Sequence, residues 1–370
     1  MTSDECLRQI TRLARSGAVE RAWALLEASG LAGAVDDPRA LTLKGRLEKD
    51  RARQINGAER IRWLERAADH YWQAAEIGGR SYPLINAATL SLLAGKPRKA
   101  HELARRVLDL LDAEPNEPET PYWLGATRAE ALLLLGRPHD ARAALRVAVK
   151  AAPQAWEDRA ATIGQFRLIC AELRGDLAWL DQFLPPRSLQ YAGVMAVGQQ
   201  DQRVQGRIAA WLANANVGFG YGALAAGADI WIAEALVARG AELHVVLPCP
   251  VEVFRDKSVA AVDQAGLPRF DRLLEAAASL DELDAAPAPS PAAVGVTDAV
   301  ALGLAMHNAR ILQSEALRLR IVGEAAPKLP DEPVRGATLA VARQAAAHGF
   351  AVGEAGVARA MLRPGSGVGA

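Results

Sequence analysis

A short motif that occurs twice is the feature that most constrains the fold. The segments beginning at Leu92 and Leu133 both read three apolar residues, glycine, a basic residue, proline, two polar residues and alanine. Glycine ends a helix by taking a left-handed conformation, and proline is favoured in the first turn of the next helix. The alanine lets the two helices approach closely. Because one helical hairpin cannot bury its apolar face alone, the motif predicts stacked hairpins of the tetratricopeptide type.

The repeat extends beyond these two copies. Gly17 leads to Ala22 in a weaker copy, and Gly175 marks a fourth candidate. Apolar residues recur at helical spacing throughout this part of the chain, which ends at the Pro185-Pro186 pair. The predicted helices lie near 4–15, 18–29, 38–53, 58–77, 82–94, 97–111, 121–135, 138–151, 155–173 and 176–183.

The remainder of the chain has a different pattern, in which short apolar runs alternate with helical segments. Strands are predicted at 194–197, 215–219, 242–247 and 317–322, and helices at 202–214, 226–239, 251–262, 267–279 and 297–313. Strands that alternate with crossover helices imply a parallel sheet covered on both faces. Residues 285–293 are rich in alanine and proline and are expected to form a loop.

The predicted fold class is therefore multi-domain, with all-α tetratricopeptide-like repeats followed by an α/β Rossmann-like parallel sheet. The expected domains are a helical domain at 1–184, a Rossmann-like domain at 188–325 and a C-terminal extension at 326–370 that is flexible at its end.

A run of glycines predicts a ligand site in the second domain. Gly218, Gly220, Gly222 and Gly227 stand between the predicted strand 215–219 and a helix. Glycine allows backbone to take positive φ or to approach a ligand closely. A glycine turn that opens a helix presents bare N–H groups and the positive helix end, which suits a phosphate. The alternative is that these glycines serve only the packing of the strand against the helix.

Further candidate ligand contacts lie near the same edge of the predicted sheet, where ligands of open α/β sheets bind. They are Gly198 and Gln199 after the first strand, Tyr221 within the glycine run, Asp229 in the next helix, and Lys257 and Ser258 beyond the third strand. For Asp229, a helix cap is the favoured interpretation, and contact with a ribose hydroxyl is the alternative.

Composition excludes several classes of function. Lysine plus arginine equals aspartate plus glutamate at 43 each, so the electrostatic basis for general nucleic-acid binding is missing. There is no apolar run of about 18 residues that would span a membrane and no signal-peptide pattern, so a cytoplasmic protein is expected. The three cysteines are scattered. We expect neither a metal site nor a catalytic residue nor a cofactor.

Two resemblances add to this interpretation. The segments Gly220–Asp229 and Gly240–Pro248 resemble the SLOG superfamily, which includes cytokinin-activating phosphoribohydrolases, the DNA-processing protein DprA and sensors of bacterial conflict systems. This resemblance implies a Rossmannoid fold, a nucleotide or nucleotide-derived ligand and self-association into a homo-oligomer. The segments Tyr82–Leu90 and Tyr122–Ala131 resemble the tetratricopeptide-like region shared with the TRAF-binding part of apoptosis signal-regulating kinases. That resemblance implies a protein partner.

The chain departs from the SLOG hydrolases in one important respect. Their Pro-Gly-Gly-x-Gly-Thr-x-x-Glu motif is missing, and the alanine- and proline-rich segment 284–293 stands in its place. The loop after the first strand is also short. A sensor or scaffold in bacterial signalling or defence is therefore the favoured function. The alternatives are a nucleotide or NAD N-glycosidic hydrolase that uses Asp229 or Glu234, and a protein-interaction module with a degenerate pocket.

Overall fold

The computed structural model describes residues 2–113, 117–195, 202–322 and 338–345. The chain forms two compact units, Met1–Phe183 and Leu184–Ala370. The first is helical and the second is a mainly parallel sheet flanked by helices, which confirms the predicted fold class. Within the described residues, no helix combines the length and the apolar character needed to cross a membrane.

The helical unit is built from α-helices that pack as consecutive antiparallel pairs. In chain order they are α1 (Ser3–Arg15), α2 (Val19–Ala28), α3 (Pro38–Ala52), α4 (Gly57–Gly78), α5 (Ser81–Leu93), α6 (Pro97–Ala113), α7 (Pro121–Leu134), α8 (Pro138–Ala151) and α9 (Trp156–Glu172). These bounds lie within two residues of the predicted ones. The helix predicted at 176–183 is instead a 3₁₀ helix, Ala178–Phe183.

The repeated glycines end the first helix of each hairpin as predicted. Gly95 and Gly136 have φ of +76° and +71°, in the left-handed region. Behind Gly136, the amide of Arg137 donates to the carbonyl of Leu132 at 3.0 Å. This bond satisfies a carbonyl that the helix end would otherwise leave without a partner.

The alanine of the motif is the contact point between the paired helices. Ala22, Ala100 and Ala141 are buried, so a larger side chain would separate the helices. The fourth candidate copy differs in one detail. There Arg174, not glycine, has the positive φ, and Gly175 donates the closing hydrogen bond to Cys170.

The second unit is a sheet in the order β4-β3-β2-β1-β5-β6. Strands β1 to β5 are parallel, and β6 pairs antiparallel with β5. The elements are β1 (Arg187–Gly193), α10 (Gln202–Asn214), β2 (Val217–Gly222), α11 (Ala228–Ala238), β3 (Glu242–Leu247), α12 (Val251–Phe254), a π-helical segment (Arg255–Ala260), α13 (Leu267–Glu275), β4 (Ser279–Glu282), α14 (Pro291–Ile311), β5 (Glu315–Val322) and β6 (Thr338–Ala345).

Several boundaries in this unit correct the predictions. The first strand was expected at 194–197 but ends at Gly193. The helix predicted at 267–279 stops at Glu275, and β4 follows it. Helix α14 begins at Pro291, inside the predicted loop 285–293. Strand β6 lies in the segment expected to be a C-terminal extension.

The order of the strands creates a switch point beside β1. The chain runs outward from β1 through β2, β3 and β4, and then returns through α14 to β5 on the other side of β1. Helices α11 and α13 pack on each other on one side of the sheet. Helix α14 lies on the opposite side and contacts β1, β2 and β5. In such sheets, the carboxyl edge beside the switch point is where ligands bind.

Candidate functional site

Three of the four predicted glycines lie inside β2 and not in a turn, which corrects the predicted strand 215–219. They face the side of the sheet that α11 covers. A Cβ at Gly218 would lie 2.5 Å from the Cβ of Pro186, and one at Gly220 would clash with Leu236 of α11. Gly218 is at the amino end of the strand, away from the carboxyl edge. The structure thus shows close packing at these two positions, and their contact with a ligand stays a prediction.

Gly227 is the glycine that opens α11. Its φ is +100°, and a Cβ there would lie 2.7 Å from the carbonyl oxygen of Met195. The amide of Ala228 donates to the carbonyl of Val194 at 3.3 Å. The end of β1 is thereby held against the N-terminus of α11, at the carboxyl edge of the sheet.

Asp229 lies in the first turn of α11 and is 6% exposed. It is not the cap of the helix, because the N-cap residue is Gly227. Its Oδ2 instead accepts from the amide of Ala225 in the preceding loop, at 3.4 Å. Its Oδ1 has no hydrogen-bond partner among the residues that the structure describes, and the same holds for the buried hydroxyl of Tyr191.

Burial and, to a smaller extent, the negative charge of Asp298 raise the pKa of the Asp229 carboxyl group to about 8. The backbone N–H groups of Ala225 and Gly193 act in the opposite direction, because they stabilise the carboxylate. Asp229 is therefore mainly protonated at neutral pH.

Two arginines share one carboxylate nearby. Asp298 of α14 accepts from Arg320 at 2.8 Å and lies 3.9 Å from Arg318. Both arginines are on β5, where alternate side chains point to the same face. Burial lowers the pKa of Arg318, and the charge of Arg320 adds to this effect.

The remaining predicted residues lie at varying distances from this cluster. Ser258 is buried, and its carbonyl accepts from the amide of Ala226 at 2.9 Å, so the π-helical segment packs on the loop before α11. Lys257 is exposed. Tyr221 is buried and stacks on His244 with ring centroids 4.5 Å apart. Gly198 and Gln199 lie outside the described residues.

Of the predicted residues, Gly227, Asp229 and the Ser258 segment lie together at this edge of the sheet, and their contact with a ligand stays a prediction. Asp298, Arg318 and Arg320 were not among the predicted residues. One signal for the arginines was available. They flank Leu319 within the apolar part of β5, and this alternation places both on one face. No pattern in the sequence marked Asp298 as a residue of the site.

Glu234 of α11 has a structural partner. It accepts from Arg269 of α13 at 2.7 Å, in a pair that ties these two helices together. In the parts of the chain that the structure covers, no group of three or more histidine, cysteine, aspartate or glutamate side chains could hold a metal ion.

Comparison with known proteins gives one family match. Residues 6–91, which span α1 to most of α5, match the family described as Tetratricopeptide Repeats-Sensor. This match agrees with the helical hairpins and supports a protein-interaction or sensing role.

The other comparisons do not support any particular function. No curated protein matches this chain. A solved structure of a mutant O-GlcNAc transferase from Thermobaculum terrenum aligns with a TM-score of 0.23 and 12% identity. The alignment covers 66% of this chain and 42% of the transferase, so the chain spans less than half the length of that protein.

Proposed function

We propose that this protein is a sensor and scaffold of bacterial signalling or defence. Its sheet unit binds a nucleotide or nucleotide-derived ligand, and its helical unit binds a protein partner. The observation that carries the proposal is the cluster at the carboxyl edge of the sheet. There, the N-terminus of α11 carries the buried Asp229 beside the switch point, and Asp298 of α14, which pairs with Arg318 and Arg320, is close enough to act on it. The buried, unpaired cysteines fit a reducing compartment such as the cytoplasm.

The chemistry of the cluster suits a phosphorylated ligand. The positive end of the α11 helix dipole favours an anion, and arginine recognises phosphate through several parallel hydrogen bonds. Asp229 Oδ1 and the Tyr191 hydroxyl are buried without partners among the described residues. Because a buried polar atom without a partner is unfavourable, both atoms are suited to the hydroxyl groups of a ribose.

Isothermal titration calorimetry of the full chain tests this proposal. The ligands are AMP, ADP, NAD, ADP-ribose and cyclic nucleotides, each at up to about 1 mM, the concentration at which weak binding is still measurable. Arg320→Gln should weaken binding about 10- to 100-fold because a charge-assisted contact is lost. Arg239→Gln, at the far end of α11, is the matched control and should bind as wild type.

Absence of binding by all of these ligands would contradict the sensor proposal and favour the protein-interaction module. Light scattering in the same experiments measures the oligomeric state, and a homo-oligomer is the expected result.

The protonated state of Asp229 favours one second function, cleavage of an N-glycosidic bond in a nucleotide or NAD. A carboxyl group whose pKa is raised to about 8 is suited to protonate a departing base. Chromatography after long incubation with AMP or NAD decides this. Release of free base that is lost in Asp229→Asn would establish the hydrolase, and unchanged substrate would exclude it.

In the helical unit, a groove between α4 and α6 supports a docking surface for the protein partner. The groove has a volume of about 480 Å³ and contains Trp72, which is 37% exposed. Asp69, Lys99 and Arg106 line its walls, where Lys99 pairs with Asp69, and Arg106 pairs with Glu76 beside the groove. The partner is expected to co-purify less with Trp72→Ala, as measured by quantitative mass spectrometry. Val147→Ala, an exposed apolar position on α8, is the control.

A further inference from the structure

We propose that the sheet unit binds its anionic ligand together with one proton, which is held on Asp229. The inference rests on the proposed function and states how that site is regulated. It predicts a ligand that the protein retains at neutral and mildly acidic pH and releases as the solution becomes alkaline.

Two titratable side chains lie near Asp229. Tyr191 faces it from β1, and Asp298 of α14 is close enough to repel its negative charge. From β5, Arg318 and Arg320 are directed to Asp298. Helix α10 packs on α11 through apolar side chains, and the π-helical segment contacts the loop before α11 through a backbone carbonyl.

No described arginine or lysine therefore forms an ion pair with Asp229. Asp298 is neutralised by Arg318 and Arg320, whereas Asp229 is buried against backbone N–H groups. A buried carboxylate without a cation is unstable in its charged form, and this asymmetry between the two acids makes Asp229 the one that holds the proton.

The position of Asp229 in the first turn of α11 gives the consequence for ligand binding. With Asp229 protonated, the positive end of the helix dipole has no negative charge beside it, and with Asp229 ionised, a full negative charge lies there. An anion is therefore attracted to the protonated form and repelled by the ionised carboxylate. The raised pKa of Asp229, about 8, puts this transition in an accessible pH range.

Thermodynamic linkage turns this preference into a measurable quantity. An anion that prefers the protonated site must raise the affinity of Asp229 for its proton. Binding then takes up almost no protons at pH 6.5, where Asp229 already holds one, and approaches one proton per ligand at pH 9.5. Over the alkaline part of this range, the affinity falls by up to about tenfold per pH unit.

Calorimetry in buffers of different ionisation enthalpy measures the proton uptake directly. ADP-ribose and NAD are the probes, because their diphosphate diesters do not titrate in this range. Asp229→Asn mimics the neutral form, and it should bind both probes without proton uptake and with a flat pH profile. Arg239→Gln, at the far end of α11, is the control and should leave both the binding and the proton uptake as in wild type.

The outcomes separate this inference from the proposed function. Binding of either probe by wild type without proton uptake, or uptake that persists in Asp229→Asn, overturns the inference and leaves nucleotide binding established. Absence of binding by every probe overturns the proposed function and the inference with it. In addition, a ¹³C-carboxyl NMR titration of the ligand-free protein, with the resonance assigned through Asp229→Asn, should show a midpoint near pH 8. A midpoint below about pH 5 overturns the inference without any ligand.

Discussion

Gly222 of β2 lies directly against Tyr191 of β1. A Cβ at position 222 would be 2.6 Å from the carbonyl oxygen of Tyr191 and 2.7 Å from its ring. Because one of the obstructing atoms is backbone, the neighbour cannot move aside by rotating a side chain. The absence of a side chain at Gly222 thus lets the end of β2 and the Tyr191 ring share the space beneath the candidate site.

Gly222→Ala should therefore destabilise the sheet unit by about 1–3 kcal/mol, the usual effect of forcing extra atoms into a packed core. Gly303→Ala is the matched control, since a Cβ there meets nothing within 4 Å. Alanine in that helical position should be neutral or stabilising by up to about 1 kcal/mol. Urea unfolding of both variants measures the difference, and equal stability of the two would contradict the packing explanation.

Asp229→Asn should change how the stability of the sheet unit depends on pH. The folded-state pKa of Asp229 is raised from 3.8 to about 8. The folded protein therefore holds a proton that the unfolded chain releases, and wild-type stability falls as the pH rises from about 4 to about 8.

The asparagine variant lacks this decline. It should gain about 3–5 kcal/mol relative to wild type between pH 5 and pH 9, from a shift of about four units. Hydrogen–deuterium exchange of the β1 to β3 amides at several pH values measures the change. Parallel curves for the two proteins would show that Asp229 ionises normally.

Lys49→Met should have the opposite pH dependence in the helical unit. Lys49 of α3 donates to Asn86 of α5 at 2.9 Å, and burial lowers its pKa from 10.5 to about 8. The charged ammonium is thus unfavourable in the folded state below pH 8, and wild-type stability should rise between about pH 8 and pH 10.5.

The methionine variant should lack this rise, which amounts to about 1–3 kcal/mol after allowance for partial exposure. Thermal unfolding of the helical unit between pH 7 and pH 10.5 makes the comparison. Lys150→Met changes an exposed lysine and should follow the wild-type curve. A flat wild-type curve would argue against desolvation of Lys49.

Two substitutions in the hairpin turns should change the stability of the helical unit in opposite directions. Gly136 has φ of +71°, so Gly136→Ala should destabilise the helical unit by about 1 kcal/mol. Arg174 occupies the corresponding left-handed position with φ of 51°, so Arg174→Gly should stabilise the unit by a similar amount. Chemical denaturation of both variants tests the prediction. If both variants change the stability in the same direction, the left-handed backbone conformation does not determine the stability of these turns.

The helical unit could be predicted almost residue by residue because its signals are local. The apolar spacing, the left-handed glycine and the first-turn proline act within one or two helical turns, so no knowledge of the distant chain is needed. The strands were harder to place. In β1, Ser188 and Gln190 are buried beneath α14, and their polarity hid the strand that contains them. The short β4 has an exposed, acidic sequence without an apolar pattern.

The residues of the candidate site likewise include some with a local sequence pattern and some without one. Gly227 and Asp229 were recognisable because a glycine before a helix is a local pattern. Asp298 was not, because it approaches Asp229 only through α14, in which the chain returns across the sheet towards β5. The role of Asp229 also changed, from a helix cap to a buried acid beside a second carboxylate.

By itself, the sequence determined the helical hairpins, the alternation of strands and helices, and the position of a glycine-led helix start in the second unit. Each of these depends on interactions between residues a few positions apart. Only the tertiary structure decided that Gly218 and Gly220 are packed in a strand, that two arginines share Asp298, and that Asp229 is buried enough to keep its proton. These properties depend on strand order and desolvation, which arise only when distant segments pack together.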